Sequence, residues 1–214
     1  MTSGSLTNIT QRPLDWGKGD GLIPAIVQDV STGQVLMLGY MNRDSLQATV
    51  KTGNVTFYSR SKGRLWTKGE SSGHFLKLAS IVPDCDDDAL LILARPIGNT
   101  CHEGTQSCFG DTVSTKAQQL SFLGKLEDVI AQRIADKPEG SYTARIWSEG
   151  STRIAQKVGE EGVEVALAAA TQEDDRLVSE SADLIFHLAL LLKSRNLSLT
   201  QTIKELEQRH AAKP

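Results

Sequence analysis

Gly110-Asp111-Thr112-Val113-Ser114-Thr115-Lys116-Ala117-Gln118-Gln119 (residues 110–119) divides the chain into halves of different chemistry. The segment is polar and built of small residues, and it reads as a linker between one domain over 1–112 and a second over 113–214. All three cysteines precede it. So do 10 of the 23 basic and 10 of the 26 acidic side chains, leaving 13 and 16 for the second half. A length of 214 residues permits one large domain or two small ones.

Upstream of the linker the pattern is strands and turns. Ala25–Val30 and Gln34–Met41 flank Ser31-Thr32-Gly33, which predicts a hairpin. Asn42 is placed to cap a short helix through Val50, with Gly53 just past its end. Asn54–Ser59 and Leu65–Lys68 flank Lys62-Gly63-Arg64, a second hairpin. Phe75–Val82 and Ala89–Ile97 read as further strands around Pro83–Asp88. The expectation is a β-rich α+β domain.

Downstream the period changes to that of helices. Leu120, Leu123, Leu126, Val129, Ile130 and Ile134 recur at steps of three and four and make one face. Further helices are predicted over about 152–170, about 174–194 and from Ser198, where Gln201 completes a capping box. Four helices with short connections predict an all-α bundle.

Composition excludes several classes. The formal charge of −3 is too small to imply a polyanionic partner, and no basic stripe with interleaved aromatics points to nucleic acid. The longest apolar stretch, Leu184–Leu192, is nine residues with His187 inside it, well short of the roughly 20 that span a bilayer. The first residues show no basic start followed by an apolar run, so no secretory signal is expected. Three cysteines are too few and odd for a disulfide scaffold, and a reducing, cytoplasmic setting follows. Neither a phosphate-binding G-x-x-x-x-G-K-[ST] nor a dinucleotide G-x-G-x-x-G occurs.

Two constellations carry candidate chemistry. In the first half, Cys85, Cys101 and Cys108 lack the paired C-x-x-C hooks of a structural zinc site. Three thiolates leave one tetrahedral position open, which a catalytic zinc needs for its water. Small cysteines that merely pack are the alternative. Asp84, Asp86 and Asp88 alternate, and on an extended strand they would share a face and gather a hard cation such as Mg²⁺. A solvated acidic loop is the alternative, and the residues by themselves favour it. His102 is either a base for the zinc water or an ordinary loop histidine. Arg60, Ser61, Trp66 and Lys68 offer cations, a hydroxyl and an aromatic face for a phosphate and a base.

In the second half, Glu160, Glu161 and Glu164 lie on or beside the apolar stripe of one helix. Glu180, Asp183 and His187 line an edge of the next. Carboxylates facing a core unpaired are costly. Lys157 neutralises one of them, and divalent cations would resolve the rest. Two amphipathic helices with solvated acidic faces are the alternative.

These residues resemble a known pair. Val35–Asn42, Ser59-Arg60-Ser61, Leu65–Glu70, Asp84–Asp88 and Cys101-His102 with Ser107-Cys108-Phe109 are similar to phosphoribosyl-AMP cyclohydrolase. Ser141–Ala144, Ile154–Glu161 and Glu180-x-x-Asp183 are similar to phosphoribosyl-ATP pyrophosphatase. The order matches the fused bifunctional enzyme of bacterial histidine biosynthesis. The resemblance implies zinc on Cys85, Cys101 and Cys108, with Cys85 and the other two thiols from different subunits of a homodimer. It implies Mg²⁺ on Asp84, Asp86 and Asp88, and Mg²⁺ among Glu160, Glu161, Glu164, Glu180 and Asp183 in an all-α pyrophosphohydrolase.

The implied chemistry is loss of pyrophosphate from phosphoribosyl-ATP, with Glu161 or Glu164 taking the water's proton. Zinc hydroxide then attacks C6 of phosphoribosyl-AMP and opens the adenine ring. Lys157 and the Arg60–Lys68 stretch are the expected substrate contacts. A cyclohydrolase whose helical half only dimerises is the alternative function.

Overall fold

The computed structural model describes residue 9 and residues 13–110 and 116–211. The proposed boundary near 112, and 111–115 of the predicted linker, lie outside the described residues; Lys116–Gln119 already belong to a helix. The chain divides into two units, 1–121 and 122–214.

Six strands and one helix build the first unit: β1 (Ile23–Asp29), β2 (Val35–Met41), α1 (Arg43–Thr52), β3 (Thr56–Ser59), β4 (Arg64–Thr67), β5 (Leu76–Pro83) and β6 (Leu90–Pro96). Alternation decides the faces. Ile23, Ala25 and Val27 of β1 are fully buried, while Ile26 between them is exposed. This inward set starts β1 two residues earlier than the predicted strand. The main sheet runs β2-β1-β6-β5, with β1–β2 and β5–β6 antiparallel and β1–β6 parallel. β3 and β4 form a separate hairpin.

α1 starts and stops where its caps dictate. Ser45 N donates to Asn42 Oδ1 and Asn42 N donates to Ser45 Oγ, both at 2.8 Å, and Gly53 closes the other end at φ 69°. The inner face packs Met41, Phe57, Leu76, Leu90 and Ile92 into one core. Burying Phe57 contributes about 1.5–3 kcal/mol. Gly39 makes its place possible, because a Cβ there would stand 2.4 Å from the Phe57 ring. On the outer face, Ile26, Leu38 and Val82 are exposed among the described residues. Register partners Leu38–Ile26, Ile26–Leu91 and Leu91–Val82 place these four residues in one row across all four strands.

The second unit is helical, its first helix beginning just before the division: α2 (Lys116–Asp136), α3 (Tyr142–Ser148), α4 (Ser151–Thr171), α5 (Asp174–Ser194) and α6 (Leu199–Ala211). The predicted four helices become five. α3, seven residues long, carries too short an apolar period to be read from sequence; Ser141 caps it by accepting from Ala144 N at 3.3 Å. α4 and α5 are joined by Gln172 and Glu173 alone and make the principal helix pair. The core gathers Ile130, Ile146, Ile154, Ala189, Leu190 and Leu199. Leu120, counted in the predicted face of α2, is 59% exposed. The predicted capping box of α6 forms, with Ser198 N donating to Gln201 Oε1 at 2.9 Å. Glu127 of α2 also accepts from Leu199 N at 2.8 Å, which satisfies one donor of the first turn of α6. No helix is long and apolar enough to cross a membrane among the described residues.

Candidate active sites

The loop after β6 carries two of the three thiols to one cavity. Cys108 N donates to Leu36 O of β2 and Ser107 Oγ to Val35 O, both at 2.8 Å. These bonds pin Cys108 to the sheet. The cavity, about 360 Å³, is lined by Trp66, Lys68, His74, Cys101, His102 and Cys108 among others. Trp66 is held from behind by Phe57, with ring centroids 5.7 Å apart.

The two thiols differ in acidity. Cys101 is pushed down, first by the backbone N–H of Glu103 and then by Thr105 and Cys108. Cys108 is pushed up, mainly by burial and then by Cys101. Lys68 is buried, and that burial pushes its ammonium below the usual lysine range while both thiols oppose the shift. His102 Nδ1 lies 3.9 Å from Cys101 Sγ. Cys85 is exposed and joins no group with the other two thiols among the described residues of one chain.

Of the predicted substrate contacts, Trp66 and Lys68 reach the cavity, and Arg60 and Ser61 do not line it. The Arg60 guanidinium instead lies 3.8 Å over the Tyr40 ring. His74 and Thr100 line the cavity and were not among the predicted site residues. Gly98 at φ 73° makes room for His74, since a Cβ there would meet the ring at 2.7 Å. Thr100 is 2% exposed, and its buried hydroxyl has no hydrogen-bond partner among the described residues. A hydroxyl in a loop carries no sequence signal of this kind.

Asp84, Asp86 and Asp88 converge, with ligand oxygens within 4.8 Å of one another. The strand alternation expected to do this is wrong. β5 ends at Pro83, and a turn brings the acids together. Asp87 adopts φ 62°, and Asp84 Oδ1 accepts from Asp88 N at 3.0 Å and Ala89 N at 3.1 Å. The cluster already attracts a cation: Lys18 Nζ sits 2.6 Å from Asp86 and 2.9 Å from Asp88. Lys18 holds the Asp86 carboxyl below its usual range and is itself raised.

In the helical unit, Glu161, Glu164 and Glu180 also bring oxygens within 4.8 Å of one another. Glu161 and Glu180 are each 4% exposed and face each other from α4 and α5. Glu160 and Asp183 lie outside this group of three. One lysine was expected to serve the acids, but three cations do. Lys157 Nζ pairs with Glu161 at 2.7 Å and Glu160 at 3.0 Å, Arg153 with Glu160 at 3.1 Å, and Arg176 with Glu180 at 2.6 Å. Against the five acids this still leaves a negative excess. Glu164 shows it: a hydrogen bond shared with Glu180, then burial and Glu161, push its carboxyl above the usual range. Carboxylates crowded together in this way suit a hard divalent cation. Both acidic clusters therefore fit a hard divalent ion, and the Cys101–Cys108 pair fits a softer one.

The comparisons agree in order and extent. A family model for phosphoribosyl-AMP cyclohydrolase matches residues 37–110, and one for phosphoribosyl-ATP pyrophosphohydrolase matches residues 123–210. The chain is 56% identical to the "Histidine biosynthesis bifunctional protein HisIE" of Escherichia coli K12 over 205 residues, covering 96% of this chain and 99% of that one. The proteins of that name from Salmonella typhimurium and Yersinia pestis are 54% and 53% identical over 96% of this chain and 99% and 98% of theirs.

Proposed function

Since the chain belongs to the family of histidine biosynthesis bifunctional proteins and is a bifunctional hydrolase, we propose that it works in two steps on one substrate. The helical unit hydrolyses phosphoribosyl-ATP to phosphoribosyl-AMP and pyrophosphate. The sheet unit then opens the adenine ring of that product. The observation that carries this reading is that each unit brings three carboxylates within 4.8 Å at a separate place.

In the helical unit, Glu161, Glu164 and Glu180, joined by Glu160 and Asp183, hold Mg²⁺. The ion supplies charge neutralisation on the phosphate oxygens, which phosphoryl chemistry needs more than covalent help. Lys157 contributes a fixed positive charge beside the same oxygens. Glu164 has the proton affinity a base requires, and it takes the proton of the water that attacks the α-phosphorus. Pyrophosphate leaves.

In the sheet unit, Cys101 and Cys108 hold zinc together with Cys85 of the partner subunit. Zinc held there would lower the pKa of a bound water, the chemistry that attack at C6 needs. The Trp66 face stacks on the adenine and Lys68 faces the phosphate. His102 moves the water's proton toward the ring nitrogen as the N1–C6 bond breaks. Asp84, Asp86 and Asp88 would hold Mg²⁺ in place of their pairing with Lys18, and the ion would supply charge neutralisation.

A homodimer is part of the proposal. The row Leu38, Ile26, Leu91 and Val82 leaves an apolar sheet face to cover, with Ile26, Leu38 and Val82 at 39%, 46% and 46% exposed. A second copy covers it and supplies the missing thiol. The setting is the cytoplasm, where the thiols stay reduced.

Separate assays test this. Purified protein given phosphoribosyl-ATP should release pyrophosphate, and given phosphoribosyl-AMP should open the ring. A zinc chelator should stop only the second reaction. Ring opening that survives complete zinc removal, or pyrophosphate release that needs no divalent ion, would overturn the assignment.

A further inference from the structure

His187 interrupts the apolar run of α5, is 4% exposed, and takes no part in the chemistry above. Both edges of its ring are engaged. Nδ1 lies 2.9 Å from the carbonyl oxygen of Asp183, one turn earlier. A carbonyl only accepts, so Nδ1 carries a proton. The same nitrogen stands 3.6 Å from Glu161 Oε1, the oxygen that also takes Lys157 at 2.7 Å. On the far edge Nε2 lies 2.8 Å from the Tyr142 hydroxyl. Tyr142 and Phe186 pack edge-on against the ring, at 5.8 and 5.1 Å between centroids.

A polar ring in an apolar helix face is costly unless its nitrogens are satisfied. Here they are, and they link three elements. Tyr142 belongs to α3, His187 to α5 and Glu161 to α4. Lys157 holds Oε1 of Glu161 at 2.7 Å, the ring, its Nδ1 proton committed to Asp183, packs 3.6 Å from that same oxygen, and the other oxygen is engaged by neither. We propose that His187, itself fixed by Tyr142, is a positioning residue that turns the buried Glu161 carboxylate toward a divalent cation. This rests on the reading of Glu161 as a cation ligand. Outer partners of metal-bound groups typically change metal affinity by about 10–100-fold.

The test is Mn²⁺ binding by electron paramagnetic resonance on the full chain. An Asp84→Asn/Asp86→Asn background removes the other acidic cluster from the titration. His187→Asn keeps a donor near Asp183 and loses the link to Tyr142. Tyr142→Phe deletes one oxygen at a position 38% exposed, so the fold survives it. Each should weaken Mn²⁺ about 10-fold. The double variant should be no weaker than His187→Asn alone, because both break one link. A purely structural histidine would lower the melting temperature and leave affinity unchanged, which would overturn the inference. So would additive losses in the double variant. Glu161→Gln is the control. If it too leaves affinity unchanged, the ligand reading has failed; if it alone weakens binding, the positioning role has.

Discussion

Lys157→Met probes the electrostatics of the helical unit most sharply. The Lys157–Glu161 pair is 2.7 Å long, with side chains 20% and 5% exposed. Breaking a buried pair by removing one partner typically costs about 3–5 kcal/mol, because the remaining charge is stranded. Lys157 is partly solvated. That reduces the cost, to about 2–3 kcal/mol in metal-free protein at neutral pH. For a unit of this size that lowers the melting temperature by about 10–20 °C. Methionine keeps the stem's packing, so the loss reports charge. A divalent ion should then compensate. A ligand at about 100 times its Kd stabilises by about 2.7 kcal/mol, and the variant's site is more negative than the original. Circular dichroism melts of both proteins, with EDTA and with Mg²⁺, measure the four values. The account expects a large gap in EDTA that narrows in Mg²⁺. Equal stability in EDTA would show that Glu161 does not depend on Lys157, and an undiminished gap in Mg²⁺ would show that no cation sits among these acids.

Other perturbations separate the two units. Glu164→Gln should lower pyrophosphate release by at least about 100-fold and leave ring opening of supplied phosphoribosyl-AMP unchanged; intact release would remove Glu164 from the mechanism. The raised carboxyl of Glu164 sets a pH window. The unfolded chain ionises it near 4.5 and the folded chain only above that, so metal-free stability should fall as pH rises through this interval. Denaturant melts at several pH values should show that fall in the original protein and lose it in Glu164→Gln or with Mg²⁺. Lys18→Met should tighten divalent binding at Asp84, Asp86 and Asp88, because the ammonium 2.6 Å from Asp86 no longer competes; calorimetric Mn²⁺ titration showing weaker binding would contradict that.

Long periodic segments were legible in the sequence. The strand at Ala25–Val30, though not its start at Ile23, was marked by the turn that follows it, and the stripes of α4 and α5 follow from burial on one face. The Asn42 cap and the Gly53 stop were legible because each is a local bond pattern, though the reciprocal Ser45 bond was not foreseen. What escaped depends on tertiary placement. α3 is too short to show a period, yet its Tyr142 reaches His187 on a helix 45 residues later. The Asp84–Asp88 cluster was foreseen, but through strand geometry, when a turn with Asp87 at φ 62° assembles it. Arg153 and Arg176 look like ordinary surface cations until the fold sets them on Glu160 and Glu180.

Anomalous diffraction from crystals grown with Mn²⁺ and Zn²⁺ tests the central claim most directly, that carboxylates and thiolates gather here to hold ions. The account predicts a manganese peak enclosed by Glu161, Glu164 and Glu180, and a zinc peak bonded to Cys101 and Cys108. Well-ordered acids and thiols with no anomalous density between them at saturating metal would contradict it.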